Sequence, residues 1–254
     1  MQRRPGPLAL VGSGEYLPQM DAIDRLLLDA LGGPAARVAV IPTASGLEPG
    51  MPERWNAMGL EHFRALGADV ASVMLVSRAD AYDPRIVAAL RSADLYYFSG
   101  GSPDHAVETL RDSPAWDVIR ERYLAGAVLA GCSAGAMMLG GFTLSVRGVM
   151  RGQPPQWPPA LGLVPGIAVM PHFDRVADFA GAEMFRAILA AAPRGVTLLG
   201  VDEDTALVRL PTDGGAAPRW QVLGRQTVSV FDVDGRRTIY QAGEIVPRPD
   251  VRGR

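Results

Sequence analysis

A serine between two glycines stands near the middle of the chain, in Gly131-Cys132-Ser133-Ala134-Gly135. An apolar run precedes this segment, and apolar residues at helical spacing follow it. A strand, a sharp turn and a helix form the context that a nucleophile elbow requires. Glycines without a Cβ let the strand and the helix approach each other, so that the central side chain stands clear. The spacing therefore predicts Ser133 as a nucleophile.

A serine hydroxyl becomes a good nucleophile only when a base takes its proton, and the chain has three histidines. His172 follows an apolar strand, which in an α/β sheet places it at the same carboxyl edge as Ser133. His62 lies inside a predicted helix, where a solvated helix face is expected. His105 lies just inside another helix, where a packing role is expected. We therefore predict His172 as the base.

The base needs a carboxylate that orients its ring. The nearby acidic residues are Asp174, Asp178, Asp202, Glu203 and Asp204. The alternation of residues does not decide which of them faces the imidazole, and a charged turn explains residues 202–204 equally well. An oxyanion hole would use backbone N–H groups, and those of Ala134 and Gly101 are the best candidates.

Two alternatives remain open from these residues. Cys132 could serve as the nucleophile of a glutamine-amidotransferase-like amidase, although the flanking glycines then stand at the wrong offsets. The chain could also be a binding or structural protein without activity on the same fold.

Short apolar strands alternate with amphipathic helices through most of the chain, which is typical of a mostly parallel sheet with helices on both faces. We predict strands at 8–11, 38–41, 70–76, 95–98, 127–130, 166–170, 196–201 and 206–210. We predict helices at 18–31, 52–66, 84–90, 104–110, 115–123, 136–139 and 180–191. Gly-rich turns follow several of these strands, so they should gather at one edge of the sheet.

The chain after residue 210 alternates as short antiparallel strands at 220–223, 227–231 and 238–240, with a hairpin signal at Asp234-Gly235. We expect a single domain over 1–254, with a β-rich extension at 211–246 and a frayed tail at 247–254. Residues 151–163, which carry four prolines, predict a surface loop over the edge that holds the site.

The composition excludes several classes of protein. A net charge of −2 over 254 residues gives no basic surface for nucleic acid. No apolar run is long enough to span a bilayer, and the first residues do not form a signal peptide. The single cysteine excludes an internal disulfide and fits a cytoplasmic protein. No residues have metal-ligand spacing, so we expect neither a metal nor a cofactor.

The combination of these motifs resembles the family of serine peptidases that contains cyanophycinase and dipeptidase E. The matching segments follow the family's order and cover most of the chain: LVGSGE (10–15), YYFSGGSPDH (96–105), AGCSAGAMML (130–139), LGLVPGIAVMPHFDR (161–175) and LGVDEDTALV (199–208). The set is closer to the cyanophycinase branch.

The resemblance implies a flavodoxin-like fold similar to that of the class I glutamine amidotransferases. It implies a triad of Ser133, His172 and Glu203, and hydrolysis of small peptides or isopeptide-like amides through an acyl-enzyme. A homodimer is a further expectation from the fold. The residues expected to contact the substrate lie in or directly beside the matching segments: Gly14, Glu15, Gly100, Asp104 and Arg175.

The chain departs from the cyanophycinase-like pattern on both sides of His172. Met170-Pro171 stands where that pattern usually has Asp-Gln. VADFAGAEMF follows Arg175, where the pattern usually has several arginines. The sequence therefore supports a hydrolytic reaction more strongly than it supports cyanophycin as the substrate of that reaction.

Overall fold

The computed structural model describes residues 4–33, 35–212 and 217–249 of the chain. Residues 250–254 of the expected frayed tail lie outside the described residues. Among the helices that are described, none is both long and apolar enough to cross a membrane.

The described strands, in chain order, are β1 Leu8–Val11, β2 Arg37–Ile41, β3 Asp69–Ser72, β4 Leu95–Phe98, β5 Val128–Cys132, β6 Gly140–Phe142, β7 Val164–Met170, β8 Thr197–Val201, β9 Thr205–Leu210, β10 Arg219–Gly224, β11 Thr227–Phe231, β12 Arg237–Gln241 and β13 Ile245–Val246. The described α-helices are α1 Asp21–Asp29, α2 Met51–Ala65, α3 Pro84–Arg91, α4 Pro103–Leu110, α5 Pro114–Leu124, α6 Ala134–Met137, α7 Val146–Met150, α8 Val176–Ala180 and α9 Ala182–Ala190.

The strands form two sheets. The larger sheet has eight strands in the order β13-β10-β9-β1-β5-β4-β2-β3. Its strands from β1 to β3 are parallel, whereas β9, β10 and β13 are antiparallel to their neighbours. The second sheet has five strands in the order β12-β11-β8-β7-β6, and β6, β7 and β8 are parallel.

Alternation along the central strands sends successive side chains to two separate cores. Tyr96 and Phe98 of β4 pack with residues of α3, α4 and α5 on one face. Leu95 and Tyr97 pack with residues of α1 and α2 on the other face. The predicted α/β class, with helices on both faces of a mostly parallel sheet, is confirmed.

Three helices of the larger sheet begin at a capping residue followed by proline. Asp83, Ser102 and Ser113 each accept a hydrogen bond from a backbone N–H in the first turn of α3, α4 and α5. Proline at the next position has no N–H to leave unsatisfied. Each cap contributes about 1 kcal/mol and fixes where the helix begins. The cap at Ser102 also fixes the Gly-rich turn that precedes α4.

The second sheet was not predicted. We expected the strands before His172 and Glu203 in the main sheet, but β7 and β8 belong to the smaller one. The physical reason is that β1 is already flanked by β5 and by the antiparallel β9. No edge of β1 is therefore free to pair with β7.

Several predicted boundaries were also wrong. The strand predicted at 70–76 ends at Ser72, and the helix expected at 136–139 begins two residues earlier and ends two residues earlier, as α6. The short helices α7 and α8 were not predicted. Each spans only five residues, which is too short to show helical periodicity.

Candidate active site

Ser133 stands in a strained turn between β5 and α6. Its φ of 53° and ψ of −118° are unfavourable for a residue with a side chain. A Cβ at Gly135 would lie 2.6 Å from the carbonyl oxygen of Phe98, and one at Gly131 would collide with the backbone of Gly135. The two glycines therefore allow the close approach that an elbow needs.

A continuous chain of hydrogen bonds links Ser133, His172 and Glu203. His172 Nδ1 lies 2.7 Å from Glu203 Oε1, and His172 Nε2 lies 3.1 Å from Ser133 Oγ. An ionised carboxylate can only accept, so Nδ1–H is the donor to Glu203. The lone pair of Nε2 then faces the Ser133 hydroxyl. This is the arrangement of a nucleophile, a base and a group that orients the base.

The second sheet positions the other two members of this chain. His172 follows the end of β7 and Glu203 follows the end of β8, and these strands are parallel neighbours. The N–H of Phe173 donates to the carbonyl of Val201 at 3.1 Å, which extends the pairing beyond the strand ends. His172 has a φ of 49°, so its backbone also adopts the left-handed region.

Side chains around Glu203 hold its backbone in place. Its N–H donates to Asp174 Oδ1 at 2.9 Å. Gln226 Nε2 donates both to Asp174 Oδ2 and to the carbonyl oxygen of Glu203. Thr205 donates to the same carbonyl at 3.0 Å. The sequence did not signal the contacts of Asp174 and Gln226, because they join residues that only the tertiary fold brings together.

The other acidic candidates for the triad point elsewhere. Asp202 accepts hydrogen bonds from the N–H and the hydroxyl of Thr227. Asp204 accepts from Gln19, and Asp178 accepts from Arg175. Of the candidates that the sequence left open, Glu203 is the one that the structure brings to His172.

Two backbone N–H groups border the Ser133 side chain. The N–H groups of Gly101 and Ala134 have no acceptor among the described residues. Gly101 has a φ of +141°, and a Cβ there would collide with the backbone of Ala44. This conformation explains the glycine at position 101. The two donors are free to bind an oxyanion.

Glu15 lies behind this loop and not in the substrate cavity. Its side chain is buried, and its Oε1 accepts the N–H of Gly100 at 2.9 Å. Its Oε2 accepts the thiol of Cys132 at 2.8 Å. Both oxygens are therefore occupied inside the protein. This placement does not support the expected substrate contact for Glu15. Gly100 lies against Ser133, since a Cβ there would be 3.6 Å from Ser133 Oγ, and its contact with substrate stays a prediction.

The Cys132 thiol faces the core on the opposite side of β5 from the site. It is fully buried among residues that pack against α1 and α2. Burial, and next the adjacent Glu15 carboxylate, raise the pKa of the Cys132 thiol well above its ordinary value. A buried thiol that resists deprotonation is a poor nucleophile. The geometry therefore argues against the Cys132-dependent amidase.

The three remaining residues expected to contact the substrate lie outside the cavity beside Ser133. Asp104 accepts the N–H of Arg147 at 3.1 Å and lines a different depression. Gly14 lies against the Asp204 side chain. Arg175 pairs with Asp178 at 3.2 Å and stacks over Phe179 at the rim. The structure brings none of the three to the reacting atoms.

The other two histidines have structural partners. His62 is buried and its Nε2 lies 2.8 Å from Asp24 Oδ2, so the expected solvated helix face is wrong. His105 Nε2 donates to the carbonyl oxygen of Val76 at 2.8 Å, which fits the packing role that was expected. Neither histidine contacts Ser133.

A cavity of about 550 Å³ opens beside Ser133, His172 and Gly101. Its floor includes the buried Met137, Met170 and Ile188, and its rim includes Met150, Phe179 and Met184. Sequence reasoning missed these six residues. They lie on five different elements, so no local spacing connects them.

The described residues contain no cluster of three or more His, Cys, Asp or Glu side chains arranged to hold a metal ion. The groups available at the site are therefore the hydroxyl, the imidazole, the carboxylate and the free N–H groups.

Comparison with known proteins identifies the family of this chain. The chain matches the family model of peptidase family S51 over residues 8–213. It is 28% identical to the cyanophycinases of Nostoc sp. (strain PCC 7120) and of Trichormus variabilis, over 88% of this chain and 72% of each relative. The fold and the site define a serine-type hydrolase. The chain belongs to peptidase family S51, and the expectation of a serine-type peptidase is confirmed.

Solved structures are also similar to this chain. A crystal structure of a peptidase from an acI-B1 Actinobacterium superposes with a TM-score of 0.84 at 33% identity, over 97% of this chain and 98% of the other. A putative peptidase E protein from Listeria monocytogenes EGD-e gives a TM-score of 0.59 at 18% identity, over 87% and 98% of the two chains. The second similarity concerns the fold alone.

Proposed function

We propose that this peptidase hydrolyses small peptides, or isopeptide-like amides, through an acyl-enzyme on Ser133. The single observation that carries the proposal is the unbroken hydrogen-bond chain from Ser133 Oγ through His172 to Glu203. The strained backbone at Ser133 supports the same role, because it holds the hydroxyl clear of the strand and the helix.

The chemistry follows from where the protons lie. His172 Nε2 takes the hydroxyl proton while Ser133 Oγ attacks the carbonyl carbon of the substrate. The tetrahedral intermediate collapses when Nε2–H returns that proton to the leaving nitrogen, and the C–N bond breaks. Water then attacks the ester with His172 as base, which releases the acid and restores Ser133.

Glu203 and the backbone donors assist these steps. The Glu203 carboxylate fixes the Nδ1–H tautomer and stabilises the imidazolium that forms during attack. The N–H groups of Gly101 and Ala134 stabilise the oxyanion, and one such donor is typically worth about 10²–10³ in kcat. Glu15 holds Gly100 by its N–H, so it acts as a positioning residue for the adjacent donor.

The dimensions of the cavity favour small substrates. Its volume of about 550 Å³ lies within the range of pockets that enclose most of a small ligand. A dipeptide or tripeptide is of a size that such a cavity can enclose. None of these steps requires a cofactor.

The test is turnover of a mixed dipeptide library, including aspartyl and isoaspartyl peptides, measured by the release of free amines. We expect wild type to turn over members of the library and Ser133→Ala to lose at least about 10⁴-fold in kcat. Ser92→Ala, at an exposed position after α3, is the matched control and should retain full activity.

Two results would overturn the proposal. Equal turnover by wild type and Ser133→Ala would mean that the elbow serine is not the nucleophile. Absence of turnover by wild type across the library would exclude small peptides as the substrate class.

A further inference from the structure

The cavity beside the triad is lined mainly by apolar side chains. Four methionines line it, Met137, Met150, Met170 and Met184, together with aliphatic and aromatic residues. Among the described residues that line it, His172 is the only one with an ionisable side chain. A charged substrate group placed in this cavity would lose its hydration without gaining a partner, which is costly.

The apolar character continues from the floor to the surface. Met137, Met170 and Ile188 are buried at the base, whereas Met150 is 83% and Phe179 is 69% exposed at the rim. Large apolar side chains this exposed, grouped around one opening, are characteristic of a surface that binds apolar ligands.

Two arginines close in sequence to residues that line the cavity, Arg147 and Arg175, already have partners. Arg175 pairs with Asp178 and lies with its guanidinium 5.8 Å from the centre of the Phe179 ring. Arg147 donates its backbone N–H to Asp104 and pairs with Glu108. Neither arginine lines the cavity, so no cation is positioned there for an acidic substrate.

The cavity continues from the candidate oxyanion donors. Gly101, Ser133 and Ala134 all border it, and Met137 lies one helical turn after Ala134 on α6. A substrate carbonyl held by the N–H groups of Gly101 and Ala134 would therefore lie beside the apolar floor.

We propose that this cavity is the subsite for the residue on the acyl side of the scissile amide, and that it selects a large uncharged apolar side chain such as Leu, Met or Phe. The inference rests on the proposed peptidase mechanism and names its substrate class. Methionine side chains are flexible and polarisable, so a floor and rim built from them accept branched, linear and aromatic groups alike.

The experiment compares kcat/KM for Leu-Gly, Met-Gly and Phe-Gly with the values for Asp-Gly, Arg-Gly and Gly-Leu. We expect the three apolar acyl residues to exceed Asp-Gly and Arg-Gly by about 100-fold or more, since a matched apolar group gains binding and a charged one loses hydration. Gly-Leu, with its apolar residue on the leaving side, should be as slow as the charged peptides.

A charge introduced at the rim should reverse the selectivity. In Met184→Lys an ammonium group enters the cavity, so the ratio of Leu-Gly to Asp-Gly turnover should fall by at least about tenfold. Met58→Lys is the matched control. Met58 is also a half-buried methionine on a helix, but it lies on α2 and packs against the core that contains residues of α1 and α2. In Met58→Lys the ratio of Leu-Gly to Asp-Gly turnover should equal that of wild type.

The outcomes separate this inference from the proposed function. Preference for Asp-Gly or Arg-Gly over Leu-Gly would overturn the apolar subsite while the peptidase mechanism stood. Preference for Gly-Leu over Leu-Gly would overturn its assignment to the acyl side. An unchanged ratio of Leu-Gly to Asp-Gly turnover in Met184→Lys would overturn the apolar subsite.

If no peptide is cleaved, the proposed function fails and a binding measurement decides the subsite. Methyl resonances of ¹³C-methionine are followed in Ser133→Ala during titration with N-acetyl-leucinamide and with N-acetyl-aspartamide. Shifts at Met137, Met170 and Met184 with the leucine compound alone would support the apolar subsite. The apolar subsite would be overturned if the leucine compound gave no shift, or if both compounds gave equal shifts.

Discussion

The molecule contains two histidine–carboxylate pairs with nearly equal contact distances and different environments. His172 Nδ1 lies 2.7 Å from Glu203 Oε1, and His62 Nε2 lies 2.8 Å from Asp24 Oδ2. The side chains of the first pair are 34% and 30% exposed, whereas those of the second are 6% and 1% exposed. The distance between the histidine nitrogen and the carboxylate oxygen therefore does not indicate the role of either pair.

The difference lies in what the second ring nitrogen meets. His172 Nε2 faces the Ser133 hydroxyl at the edge of a cavity. His62 Nδ1 faces only Asp21, at 3.8 Å, and the ring packs against Tyr16 and Phe63. The proposed function uses the first pair to transfer a proton, whereas the second pair joins α1 to α2 inside the core.

The largest effect that separates the pairs is expected from His172→Asn. Removing the base should lower kcat/KM by about 10⁴-fold or more. Asparagine tolerates the left-handed backbone that position 172 requires, so the free energy of unfolding should stay close to that of wild type. Steady-state kinetics on the best dipeptide, together with urea unfolding, provides the measurement.

His62→Asn is the matched control for this experiment. It removes an imidazole bonded to a carboxylate at nearly the same distance, but one that does not line the cavity beside Ser133. Its kcat per folded molecule should remain that of wild type. A comparable loss of activity in both variants would show that the two pairs do not differ in function as described.

A smaller but still substantial effect on stability is expected from His62→Ala. The substitution leaves the buried Asp24 without the imidazole that it bonds, and its Oδ1 already has no partner among the described residues. Breaking a buried pair from one side costs about 3–5 kcal/mol of unfolding free energy. Urea unfolding monitored by tryptophan fluorescence measures it.

Removing both partners tests the cause of this loss. Asp24→Leu combined with His62→Leu leaves no uncompensated buried charge, so most of the stability lost in His62→Ala should return. If the double variant is as unstable as His62→Ala, packing of the ring against Tyr16 and Phe63 would be the cause instead.

These two pairs also show which features of the site can be predicted from the sequence. The strand–turn–helix context predicted the elbow at Ser133, and the strand before His172 predicted its place at a carboxyl edge. Both signals are local. The sequence did not reveal that His172 reaches Ser133 from a second sheet, because the partner of a strand depends on which edges the rest of the fold leaves free.

Tertiary contacts account for the other misses. His62 was expected to be solvated because its own helix gives no sign of Asp24, which α1 supplies from 38 residues away. Among the acidic residues at 202–204 the residue pattern favoured none, and only the resemblance to known peptidases singled out Glu203. The methionines of the cavity come from separate elements, so their common role follows from the fold and not from spacing.

The smallest expected effect is a pH dependence of stability at the buried pair. Burial raises the pKa of Asp24 above its ordinary value of 3.8, against the opposing hydrogen bond and charge of His62. Folded Asp24 therefore holds its proton at pH values where the unfolded chain has released it. The stability that this proton confers is present below pH 3.8 and is lost as the pH rises through the higher pKa of the folded state.

Asp24→Asn isolates this contribution, because asparagine has nearly the same shape and does not titrate. As the pH falls from neutral towards about 4, wild type should gain unfolding free energy relative to Asp24→Asn, at up to about 1.4 kcal/mol for each unit of the pKa shift. Urea unfolding of both proteins across this range measures the difference. A difference that stays constant with pH would mean that Asp24 titrates alike in the folded and unfolded chains.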